Sequence, residues 1–180
     1  MKSRSILTLL LSLPFFYSCT LFYKAAGVYK KPQRETPASI KEHLGGKYYD
    51  GLYIIKNDST LKYFIDSIGS SVPNVIIFNK ARQNIYQSKT CVWANVNQID
   101  SIHSSGAWNV KDGYRFENIQ NTVSLVDGVK PGTNHEFIIY YVWAKFSPKL
   151  SKKLLASIEK DFKAKKMDVY IGNINVDLQK

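Results

Sequence analysis

The stretch Phe137-Ile138-Ile139-Tyr140-Tyr141-Val142-Trp143 is a continuous apolar and aromatic run, which is typical of a strand buried on both faces. Ser147 and Pro148 follow as a helix N-cap and a first helical residue, and then comes a helical stripe of Leu150, Leu154, Leu155, Ile158 and Phe162. Residues 169–176 read as a second strand. Because the crossover between the two strands takes about 20 residues, we predict a βαβ unit with neighbouring parallel strands.

Further elements are predicted upstream of this unit. They are a strand at 52–55, a helix after the capping residues 57–59, a strand at 75–78, a hairpin arm at 85–86 and a helix from Asn95 that stops at Gly106. The run Val-Ile-Ile-Phe at 75–78 suits the centre of a sheet, and the polar residues 79–84 form the turn that leads to the hairpin arm.

Residues 107–134 carry the weakest pattern in the chain. Asp112-Gly113 and Asp127-Gly128 are turn signals, and short strands are predicted at 114–116 and 122–126. We therefore interpret this stretch as an irregular or β segment inserted into an α/β fold, whose mixed sheet is flanked by helices.

Residues 142–150, Val-Trp-Ala-Lys-Phe-Ser-Pro-Lys-Leu, resemble the redox turn of the thioredoxin-like superfamily. That pattern is Trp-Ala-x-Trp/Phe-Cys-x-x-Cys at a strand-to-helix junction. Trp143, Ala144 and Phe146 match it, whereas Ser147 and Leu150 stand where the two cysteines would be. Thiol–disulfide exchange needs an attacking thiolate and a resolving thiol, so the resemblance implies a member of the superfamily without dithiol chemistry at this turn.

A second segment resembles another part of the same superfamily. Residues 72–80 followed by Ile85-Tyr86 are similar to its cis-proline loop and hairpin, with Arg82 in place of the usual turn glycine. Asn175-Val176-Asp177 is similar to the end of the strand after the redox turn. In an ordinary thioredoxin the βαβ half comes first, and here it comes second. The resemblance therefore implies a thioredoxin-like domain of permuted order.

The resemblance also implies a binding groove between the redox turn and the cis-proline loop. Its expected lining is Pro73, Tyr86, Trp143, Phe146 and Ser147. The leading hypothesis is a non-enzymatic domain that binds a partner in the cell envelope, with no cofactor. A third hypothesis, beside the single-thiol enzyme described below, is a structural envelope protein whose basic face rests on anionic lipid.

The N-terminus predicts where the protein resides. Lys2 and Arg4 precede an apolar run at 6–16, and Tyr17-Ser18-Cys19 then places a small residue before a cysteine. This layout resembles a bacterial lipoprotein signal, because the run is too short to cross a bilayer and a cysteine stands at the cleavage point. We predict a signal peptide at 1–18 and acylation of Cys19. The acyl chains would hold the protein at a membrane of the cell envelope, facing the periplasm.

Residues 19–47 are predicted to be a tether, since Lys30 to Pro37 is polar with two prolines and Gly45-Gly46 follows. A short helix is predicted within it at 38–44. The thioredoxin-like domain is assigned to residues 48–180. The whole chain carries 25 Lys and Arg against 14 Asp and Glu, a balance that favours anionic partners such as headgroups or acidic glycans. Nucleic acid is not expected as a partner of an exported, lipid-anchored protein.

Cys91 is the one cysteine left once Cys19 is acylated, so no intramolecular disulfide is expected. We interpret Cys91 as a small buried apolar residue. The alternative function for the protein is a single-thiol enzyme that uses Cys91, with His103 or His135 and Asp100 as partners. His43, His103 and His135 have no metal-ligand spacing, so no metal site is predicted.

Overall fold

A computed structural model describes residues 34–44, 49–68, 72–87, 115–145 and 168–177, together with Lys160. These residues form an α/β structure with one six-stranded mixed sheet and three helices. The helices are α1 (Pro37–Leu44), α2 (Asp58–Ile68) and α3 (Phe116–Thr122). The strands are β1 (Gly51–Ile55), β2 (Asn74–Asn79), β3 (Asn84–Gln87), β4 (Val123–Gly128), β5 (Phe137–Trp143) and β6 (Val169–Asn175).

The sheet has the strand order β3-β2-β5-β6-β1-β4. β5 and β6 are parallel neighbours, and their pairing runs from Phe137 opposite Val169 to Trp143 opposite Asn175. β1 lies parallel to β6 on its other side. β2 is antiparallel to both β5 and β3, and β4 is antiparallel to β1. The parallel pair and the hairpin predicted from the sequence are therefore confirmed.

The interior strands β2, β5 and β6 are almost fully buried, because helices cover both faces of the sheet. Alternate residues of β5 point to opposite faces, as the pleat requires. Trp143 and Tyr141 pack on the face that carries α1, whereas Tyr140 and Val142 pack on the face that carries α2 and α3. We call the first of these the α1 face.

Local signals explain where α2 begins. The side chain of Asn57 accepts a hydrogen bond from the main-chain N–H of Thr60 at 2.9 Å, and the Thr60 hydroxyl accepts one from the N–H of Asn57 at 3.0 Å. This reciprocal pair satisfies two N–H groups that a helix N-terminus otherwise leaves open. The helix predicted after residues 57–59 is confirmed, and Phe64 anchors it in the core with no exposed surface.

The turn between β2 and β3 places Arg82 at φ 63°, in the left-handed region that favours glycine. The main-chain N–H of Arg82 donates to the carbonyl of Asn79 at 2.9 Å and closes the turn. The guanidinium lies 4.8 Å from the centre of the Phe116 ring and also donates to the carbonyl of Gly132. These contacts of the long side chain offset the backbone cost of a non-glycine residue here.

The stretch at 107–134 differs in part from its prediction. The strand predicted at 122–126 is confirmed as β4, at the edge of the sheet. The strand predicted at 114–116 is wrong at Phe116, which begins α3, because its ring packs edge-on against Phe78 at 5.5 Å and Ile119 is buried one turn later. Residues 107–114, the helix from Asn95 and the crossover helix after Pro148 lie outside the described residues, apart from the helical Lys160.

The part of the predicted tether that the structure describes, residues 34–44, packs against the sheet. The short helix predicted there is confirmed as α1, and its Ile40 and Leu44 are 0% and 7% exposed. Both side chains belong to the apolar cluster of the α1 face. The chain that enters the domain therefore contributes to its core before the first strand begins.

Candidate functional site

The chain leaves the parallel strands β5 and β6 at the same edge of the sheet. Trp143 is paired with Asn175, and the N–H of Val176 donates to the carbonyl of Trp143 at 2.9 Å. In open α/β sheets, ligands bind in the crevice outside the carboxyl ends of such strands. We therefore take this edge, where polar and charged side chains gather against Trp143, as the candidate site.

Asp177 holds the two strand ends together. Its Oδ2 accepts a hydrogen bond from the main-chain N–H of Lys145 at 2.7 Å and another from the side-chain amide of Asn175 at 2.8 Å. Its own N–H donates to Oδ1 of Asn175 at 3.1 Å. Asp177 is 4% exposed, and this burial raises the pKa of its carboxyl group, while the hydrogen bonds from Lys145 and Asn175 oppose the rise.

A second carboxylate joins the site from outside the sheet. The Lys145 ammonium donates to Oε2 of Glu35 at 2.7 Å, and the Ser39 hydroxyl donates to the same oxygen at 2.6 Å. The side chains of Lys145 and Glu35 are only 25% and 12% exposed. The negative charge of Glu35 also acts to raise the pKa of Asp177. The Lys145 ammonium thus lies near the carboxylates of Glu35 and Asp177. Its ion pair with Glu35 holds residues 34–39 against the end of β5.

The helix α1 adds further contacts between this segment and the sheet. Thr36 and Ser39 exchange hydrogen bonds at the N-terminus of the helix, with each main-chain N–H donating to the other's hydroxyl at 3.1–3.2 Å. One turn further, the His43 ring stacks on Trp143, with ring centres 5.8 Å apart and planes 16° apart. Lys41 forms an ion pair with Asp127 of β4 at 3.2 Å. α1 therefore contacts the sheet from the end of β5 to its β4 edge.

The structure describes three of the five residues predicted to line the groove. Pro73 is buried, follows a cis peptide bond and precedes Asn74, which is paired with Val142, so Pro73 and Trp143 lie at the same edge of the sheet. Trp143 and Tyr86 are 1% and 4% exposed and lie within the cluster that α1 covers. Phe146 and Ser147 lie outside the described residues, as do Cys19 and Cys91.

Two buried polar groups on the α1 face lack hydrogen bonds. Among the residues that the structure describes, Trp143 Nε1 has no acceptor, and the side-chain amide of Asn173 has neither a donor nor an acceptor. Asn173 is fully buried and lies two residues from Ile171 along β6, so it faces the same side of the sheet. Buried polar groups are normally paired, and an unpaired one costs free energy.

The site contains residues that the sequence did not single out. Glu35 and His43 come from the predicted tether, and Lys145 stands at the variable position of the redox-turn pattern, so no motif assigns a role to any of them. The one available signal was Asn175-Val176-Asp177, where a polar residue, an apolar residue and an acid follow a buried strand. Folding alone brings the other three residues to that acid.

The opposite edge of the parallel strands carries a second polar cluster. Nδ1 of His135 lies 3.0 Å from Oδ1 of Asp168, and the hydroxyls of Tyr53 and Tyr170 are 2.7 Å apart. Gln120 donates to the hydroxyl of Tyr140. Burial raises the pKa of all three tyrosines, which are therefore neutral hydrogen-bonding groups within the core.

Comparison with known proteins finds no family model, curated protein or solved structure that matches this chain. No group of three or more potential metal ligands occurs within the described ranges. None of the helices described is long and apolar enough to span a membrane.

Proposed function

We propose that this chain is a lipoprotein of the bacterial cell envelope, anchored through Cys19, whose redox-inactive thioredoxin-like domain binds a protein partner. The observation that supports the binding function is that the α1 face holds buried polar groups without hydrogen bonds within the described part of the chain. This face combines the indole N–H of Trp143 and the amide of Asn173, both buried and without hydrogen-bond partners among the described residues. A polypeptide offers main-chain groups of both kinds to such a surface.

Two features support the thioredoxin-like part of the proposal. The hairpin β2–β3 lies directly beside β5, the first strand of the parallel pair, so the two segments that resemble the superfamily are neighbours in space. The register brings Pro73 to the end of β5 that carries Trp143, where the resemblance expects the cis-proline loop to meet the redox turn. The hairpin precedes the parallel pair along the chain, as a permuted domain requires.

The charge distribution favours a protein partner over an anionic surface for the described part of the domain. The described residues hold ten Lys and Arg and ten Asp and Glu, so the formal net charge of +11 comes entirely from the rest of the sequence. A neutral scaffold gives no general attraction for headgroups or acidic glycans. Attraction to anionic lipid would have to come from a segment such as 146–167, which is rich in lysine.

The anchor and the partner are tested together in the native envelope. Wild-type protein should incorporate a clickable palmitate analogue and sediment with membranes, and Cys19→Ala should do neither, whereas Cys91→Ala should do both. Recovery of unlabelled wild-type protein from the soluble periplasm would refute the anchor.

The binding function is tested by chemical cross-linking of the anchored protein, with the partner identified by mass. Asn173→Leu keeps the branched shape of the side chain but removes the amide, so the cross-linked partner should be lost. The matched variant Asn121→Leu changes an exposed asparagine and should retain the partner. Equal capture by both variants would show that the α1 face is not the binding surface.

A further inference from the structure

We propose that α1 is a releasable strap, which undocks from the sheet as one unit while β5 and β6 stay folded, and thereby uncovers the α1 face. The inference deepens the proposed function, since it rests on that face being the binding surface. It concerns only residues 34–44 and their contacts with the sheet.

The first argument is the small size of the docked surface. Within α1 only Ile40 and Leu44 are buried, and the helix has eight residues, too few to be stable without its contacts to the sheet. By contrast, every residue of β5 is buried between two neighbouring strands. Segments with few buried apolar contacts open at lower free energy than core strands, so α1 can separate from the sheet before the sheet itself unfolds.

The second argument is that polar contacts fix the strap at defined points. Glu35 is joined to Lys145, Lys41 to Asp127 and Arg34 to Asp58. The Arg34 and Lys41 side chains are more than half exposed, so their ion pairs contribute little. The Glu35–Lys145 pair is largely sheltered and receives the Ser39 hydroxyl as well, so it is the strongest of these three ion pairs.

The third argument is that α1 covers the α1 face without completing it. The His43 ring lies over the Trp143 ring, but among the described residues nothing accepts the Trp143 Nε1–H, and the amide of Asn173 stays unpaired. A docked element that leaves buried donors and acceptors open can be displaced by a segment that satisfies them. α1 therefore covers the α1 face but leaves the hydrogen-bonding groups of Trp143 and Asn173 unused.

The test is native-state hydrogen exchange of the full mature chain, followed by mass spectrometry at increasing low concentrations of urea. The amides of Ile40 and Leu44 should exchange at least about 100-fold faster than those of Ile139 and Tyr141, with a weaker dependence on urea. Exchange of α1 at the rate and urea dependence of β5 would overturn the proposal, because α1 would then open only when the whole domain unfolds.

A double-mutant cycle separates release of a strap from fraying of a helix end. Glu35→Gln and Lys145→Gln each remove one charge, and each should speed exchange at Ile40 and Leu44 by the same factor, about tenfold, with β5 unchanged. The double variant should add little to either single one. The matched control Glu42→Gln alters an exposed residue of the same helix and should change nothing.

Additive effects of the two variants, or an effect confined to Leu44 at the helix end, would refute the strap. Neither measurement requires a partner or a membrane, so failure of the strap is distinguishable from failure of the proposed binding function. β5 exchange in each variant reports directly whether the domain is still folded.

Discussion

The main-chain N–H of Lys145 donates to the carboxylate of Asp177 at 2.7 Å, and this hydrogen bond ties the chain that leaves β5 to the chain that leaves β6. Asp177 is 32 residues away along the chain and is buried, so the bond links two segments that meet only in the folded domain. The Asp177 carboxylate therefore has a structural role at the candidate site, because it joins the ends of two neighbouring strands.

Replacement of Asp177 by Ala should lower the free energy of unfolding by about 2–4 kcal/mol, because it leaves a buried and a partly buried N–H donor without an acceptor. Asp177→Asn should cost less, since its amide oxygen can accept from Lys145. The control Asp168→Ala removes an exposed carboxylate and should cost less than about 1 kcal/mol. Urea denaturation measures all three variants, and equal losses for Asp177→Ala and Asp168→Ala would contradict the assigned role.

The pH dependence of Asp177 has a definite sign. Burial raises the pKa of this carboxyl in the folded state, so its favourable contribution is complete below the unfolded pKa of about 3.9 and is lost as pH rises through the folded pKa. Asp177→Asn does not titrate. Between pH 4 and pH 8 the wild-type protein should therefore lose stability relative to Asp177→Asn, as measured by the free energy of unfolding. A gain of wild-type stability relative to the variant over this range would contradict the prediction.

Gly172→Ala should be destabilising by about 1–3 kcal/mol, because the added Cβ would lie 2.6 Å from two carbons of the Tyr140 ring in the core. Gly132 provides the matched control, since a Cβ there would meet nothing closer than the His135 ring at 3.8 Å. Thermal unfolding of the two alanine variants compares them directly. A Gly172→Ala variant as stable as Gly132→Ala would show that the sheet relaxes around Tyr140.

Alkaline unfolding should depend on Tyr86. Burial raises the pKa of Tyr86 to about 12, so its contribution is complete below pH 10 and is lost as pH approaches 12, by about 2–3 kcal/mol. Tyr86→Phe should therefore lose less stability than wild type between pH 10 and 12. Tyr63→Phe, at a residue that is 50% exposed, should follow wild type. Identical alkaline profiles for Tyr86→Phe and wild type would contradict the argument.

Insulin reduction should show no turnover above buffer with wild-type protein or with Cys91→Ser. Ser147 and Leu150 replace the cysteine pair of the redox turn in the sequence, so there is neither an attacking nor a resolving thiol at that position. Activity that survives Cys91→Ser would contradict redox inactivity. Activity that disappears in Cys91→Ser would favour the single-thiol alternative.

The sequence predicted the centre of the sheet well, because β2 and β5 are apolar runs with clear ends and β6 follows the helical pattern of the predicted crossover. It predicted neither the placement of β1 beside β6 nor that of β4 beside β1, since such pairings join residues far apart in the chain. The α3 helix was also missed. It is seven residues long and has no side-chain N-cap, so packing of Phe116 rather than local propensity determines it.

The candidate site was predictable only in part. Trp143 and Pro73 were identified through the resemblance, and they do lie at one edge of the sheet. The Glu35 and His43 contacts could not be predicted, because they come from a segment whose composition is typical of a linker. Only the spacing of Ile40 and Leu44, one helical turn apart, pointed to a buried helix face.

If the proposed anchor is correct, docking of α1 also sets how far the domain can stand from the membrane. In a protein acylated at Cys19, residues 19–33 separate the anchor from the docked segment and could span at most roughly 50 Å. Release of α1 would add residues 34–47 to this connection, which could then span at most roughly 100 Å. The contact between Glu35 and Lys145 would then govern two quantities at once, the height of the domain above the lipid and the exposure of Trp143. A partner at a distance and a partner close to the bilayer would meet different surfaces of the same protein.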